Sequence, residues 1–244
     1  MANPALNSKT FTRFGTVAAT EAMTVEGTVN KTGILLFLCL ATACYEWAQT
    51  YHAIDPSAAM PGLIGGLLGG LVFAIATIVK KQWAPVTAPL YALCEGLVLG
   101  GVSAFYATEL PGIVQQAVGL TFGTLAVMLL AYRAGWIRAT PLFQRMVIAA
   151  TGAIALVYAV TLVLALFHVS VPFIHQGGTF GIIFSLVVVA VAAMNLVLDF
   201  NLIEQGVQAS APKFLEWYAA FSLLITLVWL YLEILRLLGK LRRR

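Results

Sequence analysis

Charged residues are scarce in this chain of 244 residues: they make up 10% of it, hydrophobic residues make up 61%, and the mean hydropathy is +0.92. Soluble domains contain about 25% charged residues and need far less apolar surface to build a core. Helices that cross a hydrocarbon layer of roughly 30 Å use about 20 apolar residues each. The composition therefore excludes an ordinary soluble protein and predicts an all-α polytopic membrane protein.

Cysteines and catalytic motifs are also scarce. The three cysteines, Cys39, Cys44 and Cys94, all lie in apolar runs, where cysteine usually acts as a small hydrophobic residue. The chain lacks the serine-hydrolase elbow, the zinc-protease helix motif and the phosphate-binding loop. A retinal protein needs a lysine in its last helix, and positions 214–235 contain none. We therefore expect no enzymatic activity, no cofactor and no nucleic-acid partner.

Seven long apolar stretches follow one another along the chain, separated by breaks such as Pro111-Gly112 and Thr140-Pro141. Residues 1–32 are predicted to form a polar N-terminal arm, and residues 33–244 a seven-helix transmembrane domain. The predicted spans are roughly residues 33–51, 61–79, 84–108, 113–134, 145–168, 180–203 and 213–238.

Pairs of glycines four residues apart occur in three of these stretches: Gly65-Gly66 with Gly69-Gly70, Gly96 with Gly100, and Gly119 with Gly123. Such pairs let helix backbones approach closely. They predict packing within one bundle, with a dimer interface as the alternative.

Lysine and arginine alternate between the connections. The N-terminal arm and the second and fourth connections contain them, whereas the first, third and fifth contain none. The positive-inside rule then places the N-terminus and the even connections in the cytoplasm. Seven crossings put the C-terminus outside, although residues 236–244 are strongly basic. A last segment that does not cross fully is the alternative.

Two acidic residues, Asp199 and Glu216, lie where the sixth and seventh apolar stretches turn into each other. A carboxylate at mid-bilayer costs roughly 2.5 to 3.5 kcal/mol, so such acids usually serve a cation, a proton or a partner chain. Asn195, four residues before Asp199, shares its helix face. If the sixth and seventh helices are antiparallel and the chain reverses near Gln208, Asp199 lies at the same height along the helix axis as about position 217. Glu216 is close to that height and Glu233 is far from it, so we choose Glu216 over Glu233 as the partner of Asp199.

Two carboxylates held close together cannot both ionise cheaply, so the pair can share a proton or hold a hard cation such as Ca²⁺. The alternative is that both acids lie in the headgroup layer beside Lys213. Glu95, near the middle of the third stretch, is a secondary candidate because a charge there must be neutralised, paired or turned to a cavity. Glu233 precedes Arg236 by three residues, which predicts an ion pair within the helix.

Five segments of the chain carry a family resemblance. They are residues 23–31 (MTVEGTVNK), 83–89 (WAPVTAP) with Glu95 and Gly96, 195–201 (NLVLDFN), 216–218 (EWY) and 230–236 (LYLEILR). In motifs, in their order and in the number of spans, the chain resembles the bacterial branch of the Bax inhibitor (transmembrane Bax-inhibitor-motif) membrane proteins. The resemblance covers nearly the whole chain.

The resemblance implies a seven-helix bundle with the last helix central, located in the bacterial inner membrane and acting as a pH-sensitive calcium leak. The gate of that family is a pair of aspartates on the sixth and seventh helices. Asp199 fits the first position; the chain departs at the second, where Glu216 is our choice and Glu233 the rival. Two other functions stay open: a non-conducting modulator that binds a membrane protease through the polar arm, and a proton-coupled transporter.

Overall fold

The computed structural model describes residues 21–51, 60–167 and 178–243. Within these residues, seven α-helices are long and apolar enough to cross a membrane, as predicted. They are α1 (Val25–Tyr51), α2 (Met60–Val79), α3 (Ala84–Glu109), α4 (Ile113–Arg133), α5 (Pro141–Leu166), α6 (Thr179–Gln208) and α7 (Leu215–Arg242). One 3-10 turn, Lys81–Trp83, separates α2 from α3.

Local signals in the sequence set several helix limits. Thr140 caps α5, because its Oγ1 accepts the N–H of Phe143 at 3.3 Å and the helix begins with Pro141. Gly112 precedes α4 with a φ of 79°, a left-handed conformation that glycine adopts without strain. The two predicted breaks at these positions are confirmed.

Helix α1 begins at Val25 rather than at the predicted residue 33. Thr24 is its N-cap, since its Oγ1 accepts the N–H of Gly27 at 2.9 Å. The predicted start was wrong because the first two turns of α1 are polar and precede the apolar stretch. These turns gain their stability from the cap and from contacts with residues that are distant in the sequence.

The described residues form two compact units. The N-terminal unit comprises the described residues of 21–111 and 201–225, and the C-terminal unit those of 112–200 and 226–243. Helices α6 and α7 contribute residues to both units.

In the N-terminal unit, α1 and α2 both pack against α3. A Cβ atom at Gly96 of α3 would overlap the carbonyl oxygen of Cys39, and one at Gly100 would lie 3.0 Å from the Cα of Ala43. These two glycines therefore let the backbones of α1 and α3 approach closely, which confirms their predicted role in packing within the chain.

In the C-terminal unit, side chains of α5, α6 and α7 form an apolar core. Its members are Ile154, Val188 and Val191, with Tyr158, Phe184, Met194 and Trp229 packed against them. Helix α7 is the most buried of the seven described spans: 67% of its most apolar stretch is buried, against 17% in α1, α2, α4 and α5. The last helix is therefore an interior helix, as the resemblance implied.

The orientation in the membrane is a testable prediction. Helix α7 has 28 residues, which at about 1.5 Å per residue exceed the roughly 30 Å of a hydrocarbon core. We expect a reporter fused after Arg244 to lie outside, and reporters inserted after Lys81 or within residues 134–144 to lie in the cytoplasm. A cytoplasmic reporter after Arg244, with the other two unchanged, would mean that α7 does not cross the membrane.

Candidate functional site

Asp199 lies in the part of α6 that belongs to the C-terminal unit, and only 2% of its surface is exposed. Asn195 is also buried, one helical turn before it. The amide nitrogen of Asn195 donates to Thr151 Oγ1 at 2.8 Å and to the carbonyl oxygen of Val191 at 2.9 Å. Asn195 thus ties α6 to α5 beside the buried carboxylate of Asp199.

Glu216 lies in the first turn of α7, in the N-terminal unit, and its surface is completely buried. Its Oε1 accepts the backbone N–H of Thr24 at 2.9 Å and the Thr24 hydroxyl at 3.2 Å. Its Oε2 forms an ion pair with the ammonium of Lys31. The sequence suggested Lys213 as a cationic neighbour; Lys31 was missed, and its place in the resembling segment 23–31 was the available signal.

The contact between Glu216 and the start of α1 completes a helix cap. In a capping box, the residue three positions after the N-cap supplies a carboxylate that accepts the N-cap N–H. That position is Gly27 in this chain, and a Cβ atom there would overlap the Glu216 carboxylate. Glycine therefore leaves the space that the carboxylate of Glu216 fills, and α1 is capped by a residue of α7.

Asp199 and Glu216 fall in different compact units. Helix α6 ends at Gln208 and α7 begins at Leu215, so the connection lies after Gln208 rather than around it. The predicted turn near Gln208 is therefore too early in the chain. The choice between Glu216 and Glu233 as the partner of Asp199 stays a prediction.

Glu233 lies on α7 within the C-terminal unit, and its side chain is 2% exposed. Arg236 donates from Nη1 to Glu233 Oε1 at 2.8 Å, which confirms the predicted pair three residues apart. The hydroxyl of Tyr158, on α5, donates to the same oxygen at 2.7 Å and accepts from Arg236 at 2.6 Å. The tyrosine could not be found from the sequence because it is 75 residues away.

Glu95 is half-buried near the middle of α3, and its carboxyl group is hydrogen-bonded to Tyr91 one turn earlier. Tyr91 in turn packs edge-on against Phe221 of α7, with 4.9 Å between ring centroids. A Cβ atom at Gly70 of α2 would lie 3.6 Å from Glu95 Oε2. The structure thus gives Glu95 a phenol partner on its own helix.

Glu46 is a buried acid that the sequence did not single out. It is 6% exposed near the end of α1, and a Cβ atom at Gly62 of α2 would overlap its carboxylate. Its position near a span end hid it from sequence reasoning, because acids there can usually extend to the interface.

Across the described residues, no group of three or more His, Cys, Asp or Glu side chains could hold a metal ion. Glu216 and Glu233 each form an ion pair with a basic side chain. A resident calcium site uses six to eight oxygen ligands, more than one or two carboxylates supply.

In the described residues, seven apolar helices with carboxylates buried along them define the class: a polytopic α-helical membrane protein with buried acids on its helices. The model of the family described as Bax inhibitor 1 like matches residues 3–243, so the chain belongs to that family. The resemblance of the five segments to the Bax inhibitor family is therefore confirmed, and its bacterial branch stays a prediction. No curated protein sequence matches the chain.

Proposed function

We propose that this protein is a pH-sensitive calcium leak pathway of the membrane, gated by carboxylates of α6 and α7. The observation that carries the proposal is the burial of Asp199, Glu216 and Glu233, which are 2%, 0% and 1% exposed on two helices of apolar sequence. Placing a carboxylate inside a membrane protein costs free energy, and such acids generally serve ions or protons there. Membership of the Bax inhibitor 1 like family agrees with this reading.

Carboxylates supply the oxygen ligands that Ca²⁺ prefers. They also make such a pathway sensitive to pH, because protonation removes the charge that attracts the cation. In this chain, protonation would also remove the attraction of Glu216 for Lys31 and of Glu233 for Arg236. Each event leaves a basic side chain without its counter-charge and weakens a contact that holds α7 in place.

Calcium flux into proteoliposomes as a function of external pH tests the proposal. We expect Asp199→Asn and Glu216→Gln each to remove most of the pH dependence, and the double variant to add little, because the proposed gate fails when either carboxylate is lost. Glu233→Gln should change it less. Glu26→Gln, at an exposed acid of α1, is the matched control and should leave the profile unchanged.

Two results would contradict parts of this proposal. Additive effects of Asp199→Asn and Glu216→Gln, or a larger effect of Glu233→Gln, would move the gate partner deeper into α7. Calcium flux no faster than in protein-free liposomes at every pH would contradict the leak itself.

A further inference from the structure

We propose that the start of α1 is a latch that closes over Glu216 and withholds its carboxylate from cations. The latch consists of Thr24, Gly27 and Lys31 on α1, closed on Glu216 of α7. The inference rests on the proposed leak function for its consequence, but the latch itself can be measured without any ion flux.

Both oxygens of the Glu216 carboxylate are occupied in the closed latch. Oε1 accepts two hydrogen bonds from Thr24, and Oε2 pairs with the Lys31 ammonium. The residue is 0% exposed, and Gly27 packs directly on the carboxylate. A cation cannot reach this group until the start of α1 moves away, so opening of the latch must precede any role of Glu216 in ion passage.

A short antiparallel bridge fastens the latch from the side of the N-terminal arm. Ala22 pairs with Pro212 in this bridge. Beside the pair, the Met23 N–H donates to the carbonyl oxygen of Ala211 at 2.7 Å, and the Lys213 N–H donates to that of Glu21 at 2.9 Å. The Ala22–Pro212 pair exchanges no hydrogen bond itself, so the missing N–H of proline costs nothing there. Met23, beside it, is 2% exposed.

The burial of Met23 supplies a readout of the latch. In a Met23→Cys variant whose three native cysteines are replaced by alanine, a water-soluble maleimide should label the introduced thiol slowly while the latch is closed. Adding Gly27→Ala, which forces a Cβ atom onto the Glu216 carboxylate without changing any charge, should speed labelling about tenfold or more. Glu216→Gln, which removes the ion pair, should do the same. Adding Glu26→Gln, on the same turn but exposed, should not.

A disulfide tests the consequence for calcium. Directly opposed residues that exchange no hydrogen bond have Cα atoms about 4.5 Å apart, within the range that a disulfide spans. The double variant Ala22→Cys/Pro212→Cys, oxidised in proteoliposomes, should therefore hold the latch shut and reduce calcium flux several-fold, and reduction should restore it. Each single-cysteine variant, oxidised and reduced in the same way, is the control.

The outcomes separate the latch from the leak. Equal labelling rates with and without Gly27→Ala or Glu216→Gln overturn the latch. A calcium flux that exceeds that of protein-free liposomes and is the same through the oxidised and the reduced double variant also overturns it. Fast labelling in the two latch variants together with no flux in any protein supports the latch and speaks against the leak.

Discussion

Gly96→Ala and Gly100→Ala are each expected to destabilise the protein by about 1 to 3 kcal/mol, the usual cost of forcing a methyl group into a filled interior. The added Cβ atom at Gly96 would overlap the Cys39 carbonyl oxygen, and the one at Gly100 would overlap that of Ala43. Both obstacles are backbone atoms of α1, so relief requires the helices to separate. Thermal unfolding in detergent, followed by circular dichroism, measures the loss.

The double variant Gly96→Ala/Gly100→Ala should cost less than the sum of the single changes, because one separation of α1 from α3 relieves both overlaps. Fully additive losses would mean that the two positions relax independently.

The matched controls lie on α4, where a Cβ atom at Gly119 or Gly123 would meet no atom within 4 Å. Alanine there should leave stability unchanged or raise it by up to about 1 kcal/mol, since alanine is the better helix former. A loss at Gly119 as large as that at Gly96 would indicate that this face of α4 is an interface between copies of the chain.

Arg236→Met is the second change with a large expected effect, a loss of about 3 kcal/mol in the free energy of unfolding. The substitution leaves the Glu233 carboxylate, whose side chain is 2% exposed, with the Tyr158 hydroxyl but without its ion-pair partner. The Arg236 side chain is 34% exposed and stays partly hydrated in the folded protein. Its own desolvation therefore contributes little to the free energy of unfolding. The penalty comes from the buried charge that stays behind.

The double variant Glu233→Leu/Arg236→Met should recover most of that loss, because it removes the buried charge together with its partner. Chemical unfolding of the parent, both single variants and the double variant gives the coupling between the two residues. Arg145→Met, at an exposed position of α5, is the control and should change little. A double variant as unstable as the sum of the two single variants would show that the pair is not coupled.

The sequence by itself determined the class of the protein, the seven spans and most of their limits. The number of spans follows from comparing the length of each apolar stretch with the thickness of a hydrocarbon layer. The length of an apolar stretch is a property of the local sequence. Breaks such as Pro111-Gly112 and Thr140-Pro141 act through backbone conformation and capping, which are also local. The acids on α6 and α7 were visible for the same reason, as rare charges in apolar surroundings.

Only the tertiary structure decided what each acid meets. Lys31 and Glu216 are 185 residues apart, and Tyr158 and Glu233 are 75 apart. In a membrane helix both the lipid-facing and the buried faces are apolar, so the hydrophobic pattern does not reveal which side chains face each other. The early start of α1 has the same origin, because its polar first turns are capped by Glu216, a residue that local sequence around Val25 does not contain.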